Sequence, residues 1–89
     1  MRAVITVIGK DMVGILAGVA GICAENNANV TEVTQSILQD LFAMIMMVDI
    51  SDMSVDFPEL RSKLTAYGEE KGLSVHIMHE DIFNSMHRI

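Results

Sequence analysis

The chain has one cysteine, one proline, one tyrosine, three phenylalanines and no tryptophan among its 89 residues. A lone Cys23 excludes an internal disulfide framework and any CxxC metal or redox pair. The six basic residues, Arg2, Lys10, Arg61, Lys63, Lys71 and Arg88, are scattered against twelve acidic ones. No basic stripe forms, so the electrostatic footprint of a nucleic-acid binder is missing. The scarcity of aromatics argues the same way, because only Phe42 is placed on a central strand where a base could stack. No apolar run approaches the length of a membrane span. The opening "AVITVIG" is too short for a secretory signal, and no cleavage pattern follows it. These absences give the expectation of a cytoplasmic, soluble protein with neither nucleic-acid nor membrane partners. Its net charge of −6 serves solubility.

What remains is apolar: 51% of the residues are hydrophobic, enough for a core in one small domain spanning 1–89. The β-branched run from Arg2 to Ile8 reads as a buried strand. Val13, Ile15, Leu16, Val19, Ile22 and Cys23 then recur at helical spacing from Asp11 to about Asn27, where "NNAN" ends the helix. "NVTEVTQSIL" reads as a second strand, Gln39-Asp40 as a hairpin turn, and "LFAMIMMVDI" as a third strand. Asp56 is placed to cap a second helix, with Pro58 in its first turn and Glu59 completing a capping box. Leu60, Leu64 and Tyr67 form its buried stripe and Gly72 its end. "LSVHIMHE" is a fourth strand. The tail, 80–89, carries Ile82, Phe83, Met86 and Ile89 at the spacing of a short amphipathic helix.

This β-α-β-β-α-β order predicts an α+β, ferredoxin-like sandwich. Two helices cover one face of a four-stranded antiparallel sheet, and a short C-terminal helix follows. Both sheet faces read as apolar. On the third strand Phe42, Met44, Met46, Val48 and Ile50 point one way, and Ala43, Ile45 and Met47 the other. On the first, Val4 and Ile8 oppose Ile5 and Val7. An uncovered face of this kind predicts a homodimer or higher oligomer, with the sheet face or edges and the tail in the interface. The alternative is that the tail folds back over its own sheet.

The segment "VIGKDMVGILAG" has the Gly-x4-Gly spacing of a phosphate loop between strand and helix. A phosphate loop needs Lys and Ser/Thr after its second glycine, and here Gly14 is followed by Ile15 and Leu16. The nucleotide reading fails on that chemistry. A helix start with unpartnered N–H groups survives, and it suits a carboxylate as well as a phosphate. Asp11 either caps the helix itself or faces outward to meet an ammonium group. Carboxylate and ammonium recognition side by side is what an α-amino acid requires. Asn29 either adds a contact from the same end of the sheet or is simply a turn asparagine.

"ITVIGKDMVGILAGVAGICAENNANVTEVTQS", in this order of elements, resembles the ACT domain, a small regulatory module of amino-acid metabolism. The resemblance rests on Gly9, the Asp11-x-x-Gly14-Ile15 turn, the long first helix and Asn29-Val30. It covers nearly the whole chain. It is nearest to small stand-alone ACT proteins of uncharacterised function, which share the "GKD..GI.AGV" start and an "IF..M..I"-like end. The resemblance implies pairing of copies and an amino acid or similar small carboxylate bound at their interface. It implies Asp11, Met12, Val13, Gly14 and Asn29 as ligand-binding residues, with Ile15 and Val30 as walls. Such modules are usually fused to an enzyme or DNA-binding domain, and these residues leave no room for one. Regulation is therefore expected to act on a separate enzyme or regulator, the alternative being that the ligand role has been lost.

Other constellations carry less. Gly14, Gly18 and Gly21 lie at i, i+4 and i+7 with Ala17, Ala20 and Ala24 nearby. Each mid-helix glycine costs about 1 kcal/mol relative to alanine. Packing inside the domain is the expected reason for Gly18 and Gly21, with close approach of another helix or a ligand as the alternative. His76 and His79 have opposite parity on a strand and cannot share an ion, and His87 lies apart, so no metal and no cofactor is expected. Eight methionines fill core and interface gaps. Cys23 reads as buried packing. Lys10 alone cannot form the planar arginine cradle of an acylphosphatase-like loop, and no acid–base pair or nucleophilic triad emerges. The expected class is a non-catalytic regulatory module, with a pure protein-interaction module as the alternative.

Overall fold

The computed structural model describes residues 1–10 and 14–86, the side chain of Leu38 excepted. In chain order the elements are β1 (Arg2–Gly9), α1 (Ile15–Glu25), β2 (Asn29–Leu38), β3 (Leu41–Asp49), α2 (Phe57–Lys71), β4 (Ser74–His79) and α3 (Glu80–Met86). The strands make one antiparallel sheet in the order β2-β3-β1-β4. This is the ferredoxin-like βαββαβ arrangement with an added C-terminal helix.

Register and side-chain parity decide where the core lies. Ile5 stands opposite Met46 on one side and Ile77 on the other, so all three share a face. That face also carries Ala3, Val7, Phe42, Met44, Val48 and Val75. Ile15, Val19 and Cys23 of α1 and Leu60 and Leu64 of α2 complete the same buried cluster. Each fully buried side chain of this size contributes about 1.5–3 kcal/mol relative to exposure. Phe42, at 3% exposed, lies in this core and presents no ring for a base to stack on.

Local signals set the ends of α2 where the sequence places them. The Asp56 carboxylate accepts a hydrogen bond from the Glu59 amide at 3.0 Å. Gly72 ends the helix at φ 72°, in the left-handed region that costs glycine little. Gln39 turns the β2–β3 hairpin at φ 59° without a glycine. At the far end of α1, buried Asn26 donates to the Ile22 carbonyl at 2.7 Å and accepts from Lys63 Nζ at 3.0 Å. Asn27 adopts φ 59° and donates to the Asp52 carbonyl at 2.6 Å.

Three expectations are corrected. First, α1 begins at Ile15, and its N-cap is Gly14 at φ 73° with no side-chain cap. Asp11 lies outside the described residues, so the cap and outward-facing readings of it both stand as expectations. Second, Gly18 does have a packing cause, because a Cβ there would overlap the Tyr67 ring and hydroxyl of α2. Gly21 has none, since a Cβ there would meet only open space. Third, the outer sheet face is partly covered. The tail folds back as α3 onto β1 and β4, where Val4 is fully buried. An ion pair between Arg2 and Glu80 holds it, with Nη2 3.0 Å from Oε1. The expected apolar stripe of the tail is not buried: Ile82 and Met86 are exposed and Phe83 is half-buried. Ile89 lies outside the described residues.

Candidate functional site

The start of α1 is built by Gly14. Its left-handed backbone turns the chain into the helix, and its carbonyl accepts the first helical hydrogen bond, from Gly18 N–H at 2.9 Å. No side chain of the described residues caps this end, and the N–H groups of Ile15, Leu16 and Ala17 have no partner among those residues. They point toward whatever approaches the exposed Gly14, and the helix dipole makes that place favourable to an anion. The Ile15 side chain turns inward and is 3% exposed, which fixes the first turn to the core. Asp11, Met12 and Val13 lie outside the described residues.

Asn29 and Val30 are elsewhere. At one end of the sheet Gly9 faces Phe42, and at the other Asn29 faces Asp49. The expectation that Asn29 and the β1–α1 loop share an end of the sheet is therefore overturned. The reason is topological: α1 must run back along the sheet before β2 can start. Its 11 residues separate the two places by about 16 Å at 1.5 Å per residue. Asn29 is exposed and its amide makes no hydrogen bond among the described residues. Val30 is half-buried against the core. Beside them lies a shallow depression of about 420 Å³ lined by Ala20, Ala24, Asn27, Ala28, Asn29 and Val30. Asn29 and Val30 are the expected site residues among these, and Ala20 and Ala24 belong to the small-residue face of α1. The i, i+4 alanines Ala20 and Ala24 leading into "NNAN" were the signal for the depression.

A second hollow, about 410 Å³, is lined by Met1, Arg2, His79, Glu80 and Asp81. Two of its charged side chains, Arg2 and Glu80, pair with each other. The hydrogen bond and charge of Glu80 hold the Arg2 guanidinium above its ordinary range. His79 stacks on Phe57 with ring centroids 4.3 Å apart. Nearby, the Ser51 backbone and hydroxyl hold Asp49 below the usual carboxylate range, with the Ser51 amide 2.9 Å from Oδ1.

His76 lies on the outer face, 3.0 Å from the Ser74 hydroxyl, and His79 on the helix face. Among the described residues no three His, Cys, Asp or Glu side chains gather around a common point. Burial pushes the Cys23 thiol up to about 11, the opposite of what a nucleophile needs. No helix of the described residues is long and apolar enough to cross a membrane.

β2 is an edge strand, bonded only to β3, and residues 31–37 are exposed along it. Its outer N–H and C=O groups are open to pairing with another strand.

Comparison with known proteins agrees with this architecture. The model of the ACT domain family matches residues 2–78. A UPF0237 protein of Methanocaldococcus jannaschii is 53% identical over 88 residues, covering 99% of this chain and 98% of that one. The structure of an ACT domain protein from Streptococcus pneumoniae superposes with a TM-score of 0.81 at 40% identity, over 93% of each chain. A formyltetrahydrofolate deformylase from Pseudomonas syringae pv. tomato matches with a TM-score of 0.77 at 25% identity. That match covers 88% of this chain and 27% of the deformylase.

Proposed function

This chain belongs to the ACT domain family of regulatory small-ligand-binding modules, and from that membership we propose that it senses an amino acid or similar small carboxylate between two copies of itself. It is non-catalytic and acts on a separate partner protein. The observation that supports this reading is the start of α1 at Gly14, where three N–H groups have no partner among the described residues and suit a carboxylate. Asp11 supplies the negative partner for the ligand's ammonium group, with Met12 and Val13 beside it. Asn29 supplies an amide, and Val30 a wall.

Within one chain these groups lie at opposite ends of α1, so a single site needs two chains. Antiparallel pairing of the β2 edges about a two-fold axis perpendicular to the sheet provides it. That operation lays the start of one β2 beside the end of the other. Asn29 of each copy then approaches the β1–α1 loop of its partner. The depression bounded by Ala24 and Ala28 closes against the same loop.

Thermal-shift and calorimetric screening of the whole chain with the common amino acids tests the proposal. A ligand at a hundredfold its Kd adds about 2.7 kcal/mol of stability. Asp11→Ala and Asn29→Ala each remove that shift. If no amino acid moves the midpoint, the reading gives way to a pure interaction module. The exposed Ile8, Leu41 and Ile45 of the outer face favour that second reading.

A further inference from the structure

Arg2 stands on the outer sheet face between competing carboxylates. On one side it pairs with Glu80, the first residue of α3, through Nη2 to Oε1 at 3.0 Å and through Nε to Oε2. On the other, Asp49 of β3 lies directly opposite it in the β1–β3 register. Cross-strand neighbours of that kind have Cβ atoms about 4.5–5.5 Å apart. Glu32 of β2 faces Met47, the next outer-face position of β3. The charges of all three carboxylates act on the one guanidinium.

α3 depends on the Glu80 pair. It has seven residues and none is buried, far short of the roughly 12–15 that a helix needs to hold itself in water. Ile82 and Met86 face solvent, at 51% and 65% exposed. The helix follows β4 with no linker and contacts only β1 and β4. Glu80 Oε2 is shut off from water, and among the described residues only Arg2 Nε meets it. Without that contact a desolvated carboxylate oxygen is costly, so Glu80 returns to water and takes the first turn of α3 with it. Asp49 is held in place by a different group, the Ser51 amide, which donates to its Oδ1 at 2.9 Å. It is a standing second seat for the guanidinium.

We infer that Arg2 is a two-position latch for α3: on Glu80 it holds the helix against the sheet, and on Asp49 it releases the helix and uncovers Val4. An arginine that swings between the two keeps a carboxylate partner in both positions, so neither state strands its charge. Asp49 also faces Asn29 across β2 and β3, which sets the releasing seat beside a residue of the proposed ligand site. The latch rests on the ion pair and the register, and it stands whether or not that ligand binds.

Amide exchange of the full chain, followed by NMR at Asn84, Ser85 and Met86, tests it in wild type, Arg2→Gln, Asp49→Asn and the double variant. Arg2→Gln removes the latch and speeds exchange of these amides about 3-fold, the scale of one part-exposed ion pair. Asp49→Asn removes the releasing seat and slows exchange by a similar factor. In the double variant the Asp49 change has no effect, because no guanidinium is left to divide. Should Asp49→Asn fold poorly, Glu32→Gln on the exposed edge strand carries the same test, with the same slowing expected only where Arg2 is present. Exchange that is unchanged or faster in the carboxylate variant overturns the latch, as does a slowing that persists without Arg2. An unchanged rate in Arg2→Gln means that other contacts hold α3, and it overturns the latch too.

Discussion

Gly18 of α1 lies under the Tyr67 ring of α2, so closely that a single added Cβ would overlap the phenol. The two helices are held at that distance by the absence of a side chain. Gly18→Ala is therefore expected to destabilise by about 1–3 kcal/mol, the usual cost of overpacking. Tyr67→Leu in the same chain should recover part of it. Gly21→Ala is the control, because it meets only open space and replaces a poor helix former. It should stabilise by up to about 1 kcal/mol. Urea denaturation of the three variants beside wild type separates these outcomes.

Asn26 joins the end of α1 to α2 and to the loop between β3 and α2, through Ile22, Lys63 and the Ser54 amide. Replacing it with leucine leaves the Ile22 carbonyl and the Lys63 ammonium without this partner. The expected loss is about 1–3 kcal/mol. Lys63→Met in the Asn26→Leu background should cost less than in wild type, a coupling that a double-mutant cycle reads directly.

Asp49 predicts the acid response. Its carboxyl titrates lower in the folded chain than in the unfolded one because Ser51 hydrogen-bonds the charged form. The unfolded state then binds more protons near the ordinary carboxylate range, so the contribution is full above that range. It is lost as pH falls through the folded value. Asp49→Asn should flatten the stability profile below about pH 4 and leave the slope at pH 6–8 unchanged.

Cys23 predicts the alkaline response. Its thiol stays neutral to about pH 11 in the core, whereas an unfolded cysteine ionises near 8.5. Ionisation of the unfolded state thus lowers stability progressively between those values. Cys23→Ala should remove that alkaline slope. A disulfide reagent at pH 8 should react with the native chain only at the rate of opening, and at once in denaturant.

Most of the fold was legible because its signals are local. Asp56, Pro58 and Glu59 set the start of α2 and Gly72 its end, each by a signal at the terminus itself, and strand parity alone sorts Met46 from Ile45. The site was less legible because its parts are brought together by topology. A contact from Asn29 at the loop end of the sheet is one of two readings the sequence leaves open, and the reversal of direction through α1 puts Asn29 at the other end. Gly21 was taken for a packing glycine because spacing cannot distinguish a face that meets Tyr67 from one that meets nothing. The tail was legible as a helix, but its apolar residues could not say which copy's sheet it covers.

The central claim, an amino acid held between two copies, is tested most directly by mixing two defective chains. Asp11→Ala and Asn29→Ala are each titrated alone with the amino acid that shifts wild type, then mixed, unfolded and refolded together. If the β1–α1 loop of one copy and Asn29 of the other form each site, every mixed pair carries one site with both lesions and one intact. Calorimetry then shows neither variant binding alone and wild-type affinity returning in the mixture at reduced stoichiometry. A mixture that binds no better than its separate components contradicts the account.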